Sequence, residues 1–396
     1  MNDRPPLGRR TWHSVSYGPT VRLEARSSLL VVGPTQSGKT SSLVVPAILS
    51  WKGAVVVTSV KNDVVSMTRD WRSSLGTVEL LQPGKEDGLT WNPLEGVRTL
   101  RHALRVARDL TSGSTRNDSD FWNSLATKIV AALMVLALEN SSDIFDVALS
   151  VERRRFDHWL NERSRSEASQ VLRSFLDHDA RTVDGVLVTA ETMMLPWRFR
   201  QPLSRVRHVL GGANTLYLCS PRGEQTHYDA LFRGALRMIL EEQQRLVDEG
   251  LQTPLLMVLD EAATVGSLDE LDQMAATVSG LDVTLVTVVQ DFSQLHARWG
   301  AKAATIVNNH STRMVLAGLA DASVSKYLPE LVEPVNERPV LAIRQRVRGT
   351  AQVVAGSKPV FVVRLRPWWN HRRLRRRGTV DSVPFIHDDA DFASAR

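Results

Sequence analysis

Two short runs carry residues whose types and spacing suit phosphate chemistry. The first, Gly33-Pro34-Thr35-Gln36-Ser37-Gly38-Lys39-Thr40, has the spacing G-x-x-x-x-G-K-T. Its glycines let backbone N–H groups turn inward around anionic oxygens. Lys39 can then reach the β- and γ-phosphates of a nucleoside triphosphate such as ATP, and the Thr40 hydroxyl can hold Mg2+. Ser41 continues the loop into a helix start. The second run, Leu255-Leu256-Met257-Val258-Leu259-Asp260-Glu261, is an apolar strand ending in adjacent carboxylates. In such a site Asp260 binds Mg2+, directly or through water, while Glu261 polarises the attacking water. An apolar run before an acidic pair is a weak signal alone, and a much stronger one on a chain that also carries a P-loop.

A third position is Gln290, at the end of the apolar run Val283 to Val289. Open α/β sheets bind ligands at the carboxyl ends of their strands, so a polar side chain there is placed to sense a γ-phosphate. The pattern fits an ordinary polar strand end equally well. Chemistry of other kinds finds little support. The ten histidines show no zinc spacing, and no G-x-S-x-G elbow is present for a serine hydrolase. The single Cys219 excludes an internal disulfide framework and, inside an apolar run, reads as a buried small hydrophobe.

Positioning these groups requires strands that end together. Ser28 to Val32, Gly53 to Ser59, Thr77 to Leu81, Thr215 to Cys219, Leu255 to Leu259, Val283 to Val289 and Arg313 to Ala317 are short apolar runs rich in β-branched residues. Runs of this kind belong to parallel strands covered on both faces. Interleaved with helical stretches, such as the amphipathic Tyr228 to Val247, they predict an α/β fold with a central, mostly parallel sheet. Trp12 to Ala25 reads as a small hairpin turning at Gly18-Pro19. Pro46, inside the helix expected after the P-loop, predicts that this helix is short or bent.

Between about Leu100 and Arg200 the periodicity is helical without convincing strands, which predicts an inserted all-α domain. Phe121 and Trp122 there have helical spacing with Leu125 and Ile129, as core residues do, although aromatics can also stack on bases. The expected organisation is residues 1–100 as the first part of a nucleotide-binding domain, 101–200 as the helical insertion, 201–340 as the second part and 341–396 as a basic extension. The apolar run Ile129 to Leu138 is too short to span a bilayer, and Met1 to Arg10 lacks the apolar core of a signal peptide. A cytoplasmic setting is expected.

The net charge of +6 points mildly to an anionic partner. Its distribution is more informative, because no acidic residue occurs from Pro339 to Gly378. That stretch holds Arg344, Arg346, Arg348, Lys358, Arg364 and Arg366, then Arg372, Arg373, Arg375, Arg376 and Arg377, with Trp368 and Trp369 among them. Such a cluster suits nucleic-acid phosphates or an anionic membrane surface, with tryptophans that stack on bases or sit at lipid; a solvated basic tail is the plainer alternative.

The order of these elements resembles that of the coupling-protein ATPases of conjugative and type IV secretion systems, the TraG/TraD-like family. The resemblance rests on Gly33 to Thr40, on Val57 to Asp63 and on Trp91-Asn92-Pro93-Leu94. It continues through the helical stretch, Leu256 to Ala262, Gln290-Asp291-Phe292-Ser293-Gln294-Leu295, Trp299-Gly300 and Asn308-Asn309. It implies a RecA-like P-loop NTPase working as a homo-hexamer that couples ATP hydrolysis to movement of DNA or a protein–DNA complex. Relaxase or other secretion components would be its partners, and Lys39, Thr40, Asp260, Glu261 and Gln290 would have the roles given above. Two departures stand out. The family's amino-terminal membrane helices have no counterpart in this sequence, which suggests recruitment by a partner at the inner face of the membrane. The arginine usual near Ser279-Gly280-Leu281 is also missing, leaving Arg313 or Arg298 as candidate arginine fingers. A nucleotide-regulated docking protein that recruits DNA or a relaxase complex without moving it is the competing reading.

Overall fold

The computed structural model describes residues 4–12, 15–60, 62–85, 88–111, 119–160, 165–220, 223–251, 253–264, 268–319, 323–328 and 347–379. Its strands are β1 (Pro6–Trp12), β2 (Val15–Arg22), β3 (Ser28–Val32), β4 (Ala54–Ser59), β5 (Val78–Leu81), β6 (Thr90–Trp91), β7 (Leu203–Ser204), β8 (Thr215–Cys219), β9 (Leu255–Leu259), β10 (Val283–Val289), β11 (Thr312–Leu316), β12 (Thr350–Ala355) and β13 (Phe361–Arg364). One sheet takes the order β2-β1-β13-β12-β11-β3-β10-β9-β4-β8-β5. From β11 to β5 every neighbouring pair is parallel. The remaining four strands extend it as an antiparallel edge.

The apolar runs become fully buried strands because both faces are covered, as the patterns of β3, β4, β8, β9 and β10 show. Alternate residues go to opposite faces. Leu29, Val31, Val55 and Val57 pack with Leu43, Val44 and Ile48 of the helix after the P-loop. Leu30, Val32, Val56 and Met257 join a larger core that runs without a break into the helical region.

That region contains helices Leu100–Leu110, Ser119–Glu139, Ile144–Arg153, Glu167–Leu176 and Ala180–Met194, and no strand lies among its described residues. Ser119–Glu139 is the centre, packed by the other four. It extends well beyond the run Ile129 to Leu138. Within it, Phe121–Glu139 is long and apolar enough to cross a membrane by composition, but Val130 to Met134 are wholly buried in the protein core. Phe121 is exposed, with its ring edge-on to Trp122.

The Trp-Asn-Pro-Leu motif is the hinge between sheet and helices. Trp91 is fully buried, its indole N–H donates to Glu95 Oε1 at 3.0 Å, and its carbonyl accepts from Trp197 Nε1 at 2.8 Å. Asn92 caps the following 3-10 turn through Oδ1, and β6 pairs with β7 where the chain returns. The far side of the sheet is tied by Arg72. Its buried fork donates to Thr215 Oγ1, to the carbonyls of Trp51 and Gly53, and to that of Ala213, so helix Asp63–Ser73 is fastened to the starts of β4 and β8. Burial pulls its pKa down to about 10. Cys219 is buried as expected, its thiol pushed up to about 12 by burial.

Two expectations need correction. The hairpin closes at the pair Trp12↔Val15, while Gly18-Pro19 falls in β2, between the pairs Arg9↔Thr20 and Arg10↔Tyr17. There it forms a bulge on the terminal strand, where a missing proline N–H breaks no inner ladder. The expected basic extension is also no solvated tail up to residue 379. β12 and β13 are sheet strands, and Trp368 is fully buried with Val45, Leu49, Met67 and Leu374. Trp368 is therefore unavailable to stack on a base, although Trp369 is only half-buried against it. The acidic stretch from Asp381, together with Arg344 and Arg346, lies outside the described residues.

Candidate active site

The P-loop joins β3, in the middle of the sheet, to the helix beginning at Thr40. Gln36 and Gly38 both have left-handed backbone, with φ of 58° and 87°, which swings successive N–H groups toward one side. Gly33 is fixed by proximity. A Cβ on it would stand 2.8 Å from Leu316 Cβ on β11 and 3.1 Å from Ser37 Oγ. Ser37 Oγ in turn donates to the Pro34 carbonyl at 2.7 Å, closing the loop. Lys39 Nζ donates to the carbonyls of Gly33 at 2.5 Å and Pro34 at 2.7 Å, so its charge is held within the loop. Ser41 Oγ reaches the Gly38 carbonyl at 3.4 Å.

The helix that follows does bend its hydrogen-bond ladder. Thr40–Val44 is a wide π turn, in which the Val45 N–H reaches back to the Thr40 carbonyl, and an α-helix then runs Val45–Ser50 with Pro46 in its first turn. The missing N–H of Pro46 falls where the ladder is changing pitch, which lowers its cost.

Two strands supply the other groups. β10 lies directly between β3 and β9, parallel to both, so Gly33, Gln290 and Asp260 follow strands that end at one edge. Asp260 is buried, its N–H donating to the Thr58 carbonyl on β4. Glu261 is partly exposed and has φ of 56°. A left-handed conformation costs a residue with a Cβ about 1–2 kcal/mol, held here by bonds on either side: Ala262 N–H to Val288 O and Thr264 N–H to Glu261 O. The Gln290 backbone is fixed by its own motif. Gln294 Oε1 accepts from the Gln290 N–H at 3.0 Å, and Asp291 caps helix Phe292–Trp299 by accepting from Gln294 N. Trp299 Nε1 donates to the Leu268 carbonyl, anchoring the segment beyond Glu261.

These residues fit a Mg2+-nucleotide by their chemistry: an ammonium held on the carbonyls of a loop whose left-handed Gln36 and Gly38 turn N–H groups to one side, a hydroxyl at the helix start and a buried carboxylate at the next strand end but one. The loop also borders a cavity of about 390 Å3 lined by Thr35, Gln36, Ala317, Gly318 and Arg348. By sequence Arg348 belongs with the basic cluster. What brings it to the P-loop is the antiparallel return of β12 along β11, with Ala317 N–H bonded to the Thr350 carbonyl, and no local pattern announces that.

The remaining candidates are spread out. Arg298 Nη2 donates to Asp269 Oδ1 at 3.0 Å and lies over the Trp299 ring, so it is engaged by its own chain. Arg313 lies in β11, level with Leu30 of β3, and its buried Nε has no partner among the described residues. Arg372, Arg373 and Arg375 lie on the short helix Arg372–Arg375 and are exposed, as is Arg376. Arg377 turns inward. Its Nη1 donates to the Leu49 carbonyl at 2.7 Å, and its guanidinium lies 4.3 Å from the centre of the Trp71 ring.

The chain is 22% identical over 314 residues to a conjugal transfer protein TraG of Escherichia coli, an alignment covering 68% of this chain and 49% of that protein. It is 21% identical over 351 residues to the VirD4 protein of Rhizobium rhizogenes, covering 83% and 52%. It thus spans about half the length of the curated relatives it matches. Among solved structures, the conjugative coupling protein TrwBdeltaN70 in its unbound form superposes with a TM-score of 0.71 at 17% identity, covering 92% of this chain and 94% of that one. TrwB in complex with ADP and Mg2+ gives 0.68 at 17% identity, covering 94% and 97%. At such identities the likeness establishes the fold alone, a mostly parallel central sheet covered by helices. Residues 21–332 match the family described as type IV secretory system conjugative DNA transfer, and the chain belongs to that family.

Proposed function

We propose that this protein is an ATPase that moves DNA, or a protein–DNA complex, as the coupling protein of a conjugative or type IV secretion system. The observation that carries the reading is the strand order β3-β10-β9, which supports one hydrolytic site built from the P-loop, Gln290 and the Asp260-Glu261 pair. Lys39 binds the β- and γ-phosphates once a nucleotide draws it off the Gly33 and Pro34 carbonyls. Thr40 and Asp260 would hold Mg2+, which neutralises charge developing on the phosphate oxygens. Glu261 takes the proton of the attacking water, and Gln290 orients that water or the γ-phosphate. The nucleoside lies toward Ala317, Gly318 and Arg348.

Membership of the conjugative DNA-transfer family supports DNA as cargo, and the TrwB complexes with nucleotides support ATP and Mg2+ as ligands. A homo-hexamer would let a neighbour complete each site, with Arg313 the better candidate finger because Arg298 is bound to Asp269. Relaxase and channel components at the inner membrane face are the partners this reading implies. A DNA-tracking assay, in which an advancing motor displaces a bound third strand, separates it from nucleotide-regulated docking. ATP-dependent displacement is expected, and tight binding without displacement would leave docking as the function.

A further inference from the structure

The arginines near residue 370 do not simply project into solvent. Arg366, Arg372, Arg373 and Arg377 meet Arg22 of β2 and His371 around a cleft of about 130 Å3, beside Ser50 at the end of the P-loop helix. None of the described residues lining it is acidic. The positive field is felt by His371, whose pKa is lowered by burial and then by the nearby charges of Arg366 and Arg22. Arg22 Nη1 donates to the Arg4 carbonyl and Arg377 Nη1 to the Leu49 carbonyl, while the exposed forks of Arg366, Arg372 and Arg373 match phosphate oxygens. The cleft is well away from the nucleotide, since the helix from Thr40 to Ser50 separates it from Lys39 by about 15 Å at 1.5 Å per residue.

We propose that this cleft is a second phosphate site, which holds a phosphodiester of the nucleic-acid backbone. The inference rests on the DNA-moving function above and adds to it a place where the strand is gripped. The shape of the charged surface favours a strand over a lipid headgroup. Arg9 and Arg364 are directly opposed on β1 and β13, and Arg366 follows two residues on, so positive charge continues from the cleft along the antiparallel sheet edge. An extended polyanion meets such a track with successive phosphates.

The test compares the full chain with a variant carrying Arg366→Ala, Arg372→Ala and Arg373→Ala, all exposed side chains. Binding of a fluorescent single-stranded oligonucleotide is measured across salt concentrations, in parallel with vesicles of phosphatidylcholine and phosphatidylglycerol. A thermal midpoint serves as the folding check, and a second variant, with lysine at the same three positions, restores the charge. Loss of three phosphate contacts makes the slope of log K against log salt shallower by about 2, and lowers affinity at least about tenfold at physiological salt. The lysine variant recovers most of the slope, and the His371 imidazole resonance titrates at higher pH once oligonucleotide is bound. Unchanged affinity and slope in the alanine variant, with wild type still binding, would overturn this site and leave the function standing. Loss of vesicle binding alone would reassign the cleft to lipid and overturn it equally. A wild-type protein that bound no nucleic acid would overturn the function itself.

Discussion

Lys39 Nζ donates to the Gly33 carbonyl at 2.5 Å, so the side chain that suits phosphate is stored on the first residue of its own loop. The stored contact keeps the loop closed and must be exchanged for phosphate oxygens when nucleotide binds. Lys39→Ala therefore removes hydrolysis and most nucleotide affinity. Wild type should gain about 2.7 kcal/mol of stability at a nucleotide concentration about 100 times Kd, read as a rise in thermal midpoint, and the variant should show little rise.

Glu261 combines a chemical role with a strained backbone, and two substitutions separate them. Glu261→Gln should bind nucleotide normally while hydrolysis falls about 10²–10⁴-fold, the usual value of a general base. Glu261→Gly should lose hydrolysis to the same degree yet gain about 1 kcal/mol in urea unfolding, because glycine accepts φ of 56° without a Cβ clash. A Glu261→Gly protein less stable than Glu261→Gln would show that no strain is stored there.

His310 gives stability a defined pH dependence. It is wholly buried, its Nδ1–H donates to the Ile306 carbonyl at 2.7 Å, and its Nε2 accepts from Thr287 on β10 at 2.9 Å. Burial pulls its pKa down to about 4. Below the ordinary value near 6.5 the unfolded chain takes up a proton that the folded one refuses. The stability is thus present above about pH 6.5 and lost progressively as pH falls to about 4, by about 3 kcal/mol in all. His310→Gln should show a shallower fall across that window, by up to about 1.4 kcal/mol per pH unit.

Trp368 tests whether the carboxyl-terminal segment is structural. Truncating a wholly buried tryptophan costs about 3–5 kcal/mol, so Trp368→Ala should lower the urea midpoint sharply, whereas Trp369→Ala, half-buried, should cost clearly less. Equal and small effects would mean that the segment packs only loosely on helix Val45–Ser50.

The contrast between Trp368 and Gln290 shows what is legible in the sequence. The P-loop, the acidic pair and the buried strands β3, β4, β8, β9 and β10 are visible because each is a local pattern: a fixed glycine spacing, or an apolar run bounded by turns. Gln290 can be placed at a strand end, but only the sheet order puts β10 between the strands of Gly33 and Asp260. β12 and β13 are short, and they lie inside a stretch whose most visible feature is its arginines, of which only Arg364 belongs to either strand. Trp368 and Arg348 are brought into place by long-range pairing, and nothing within a few residues of either records it.

If the protein is a DNA-moving ATPase, nucleic acid switches on hydrolysis at the site of Lys39, Asp260, Glu261 and Gln290. The ATPase rate of the purified protein decides this, measured across protein concentration with no nucleic acid and with single- or double-stranded DNA, beside Glu261→Gln as the blank. The rate should rise cooperatively with protein concentration, be stimulated by DNA and fall about 10²–10⁴-fold in the variant. A rate indifferent to DNA and linear in protein, or one undiminished in Glu261→Gln, would rule out a DNA-driven motor at this site.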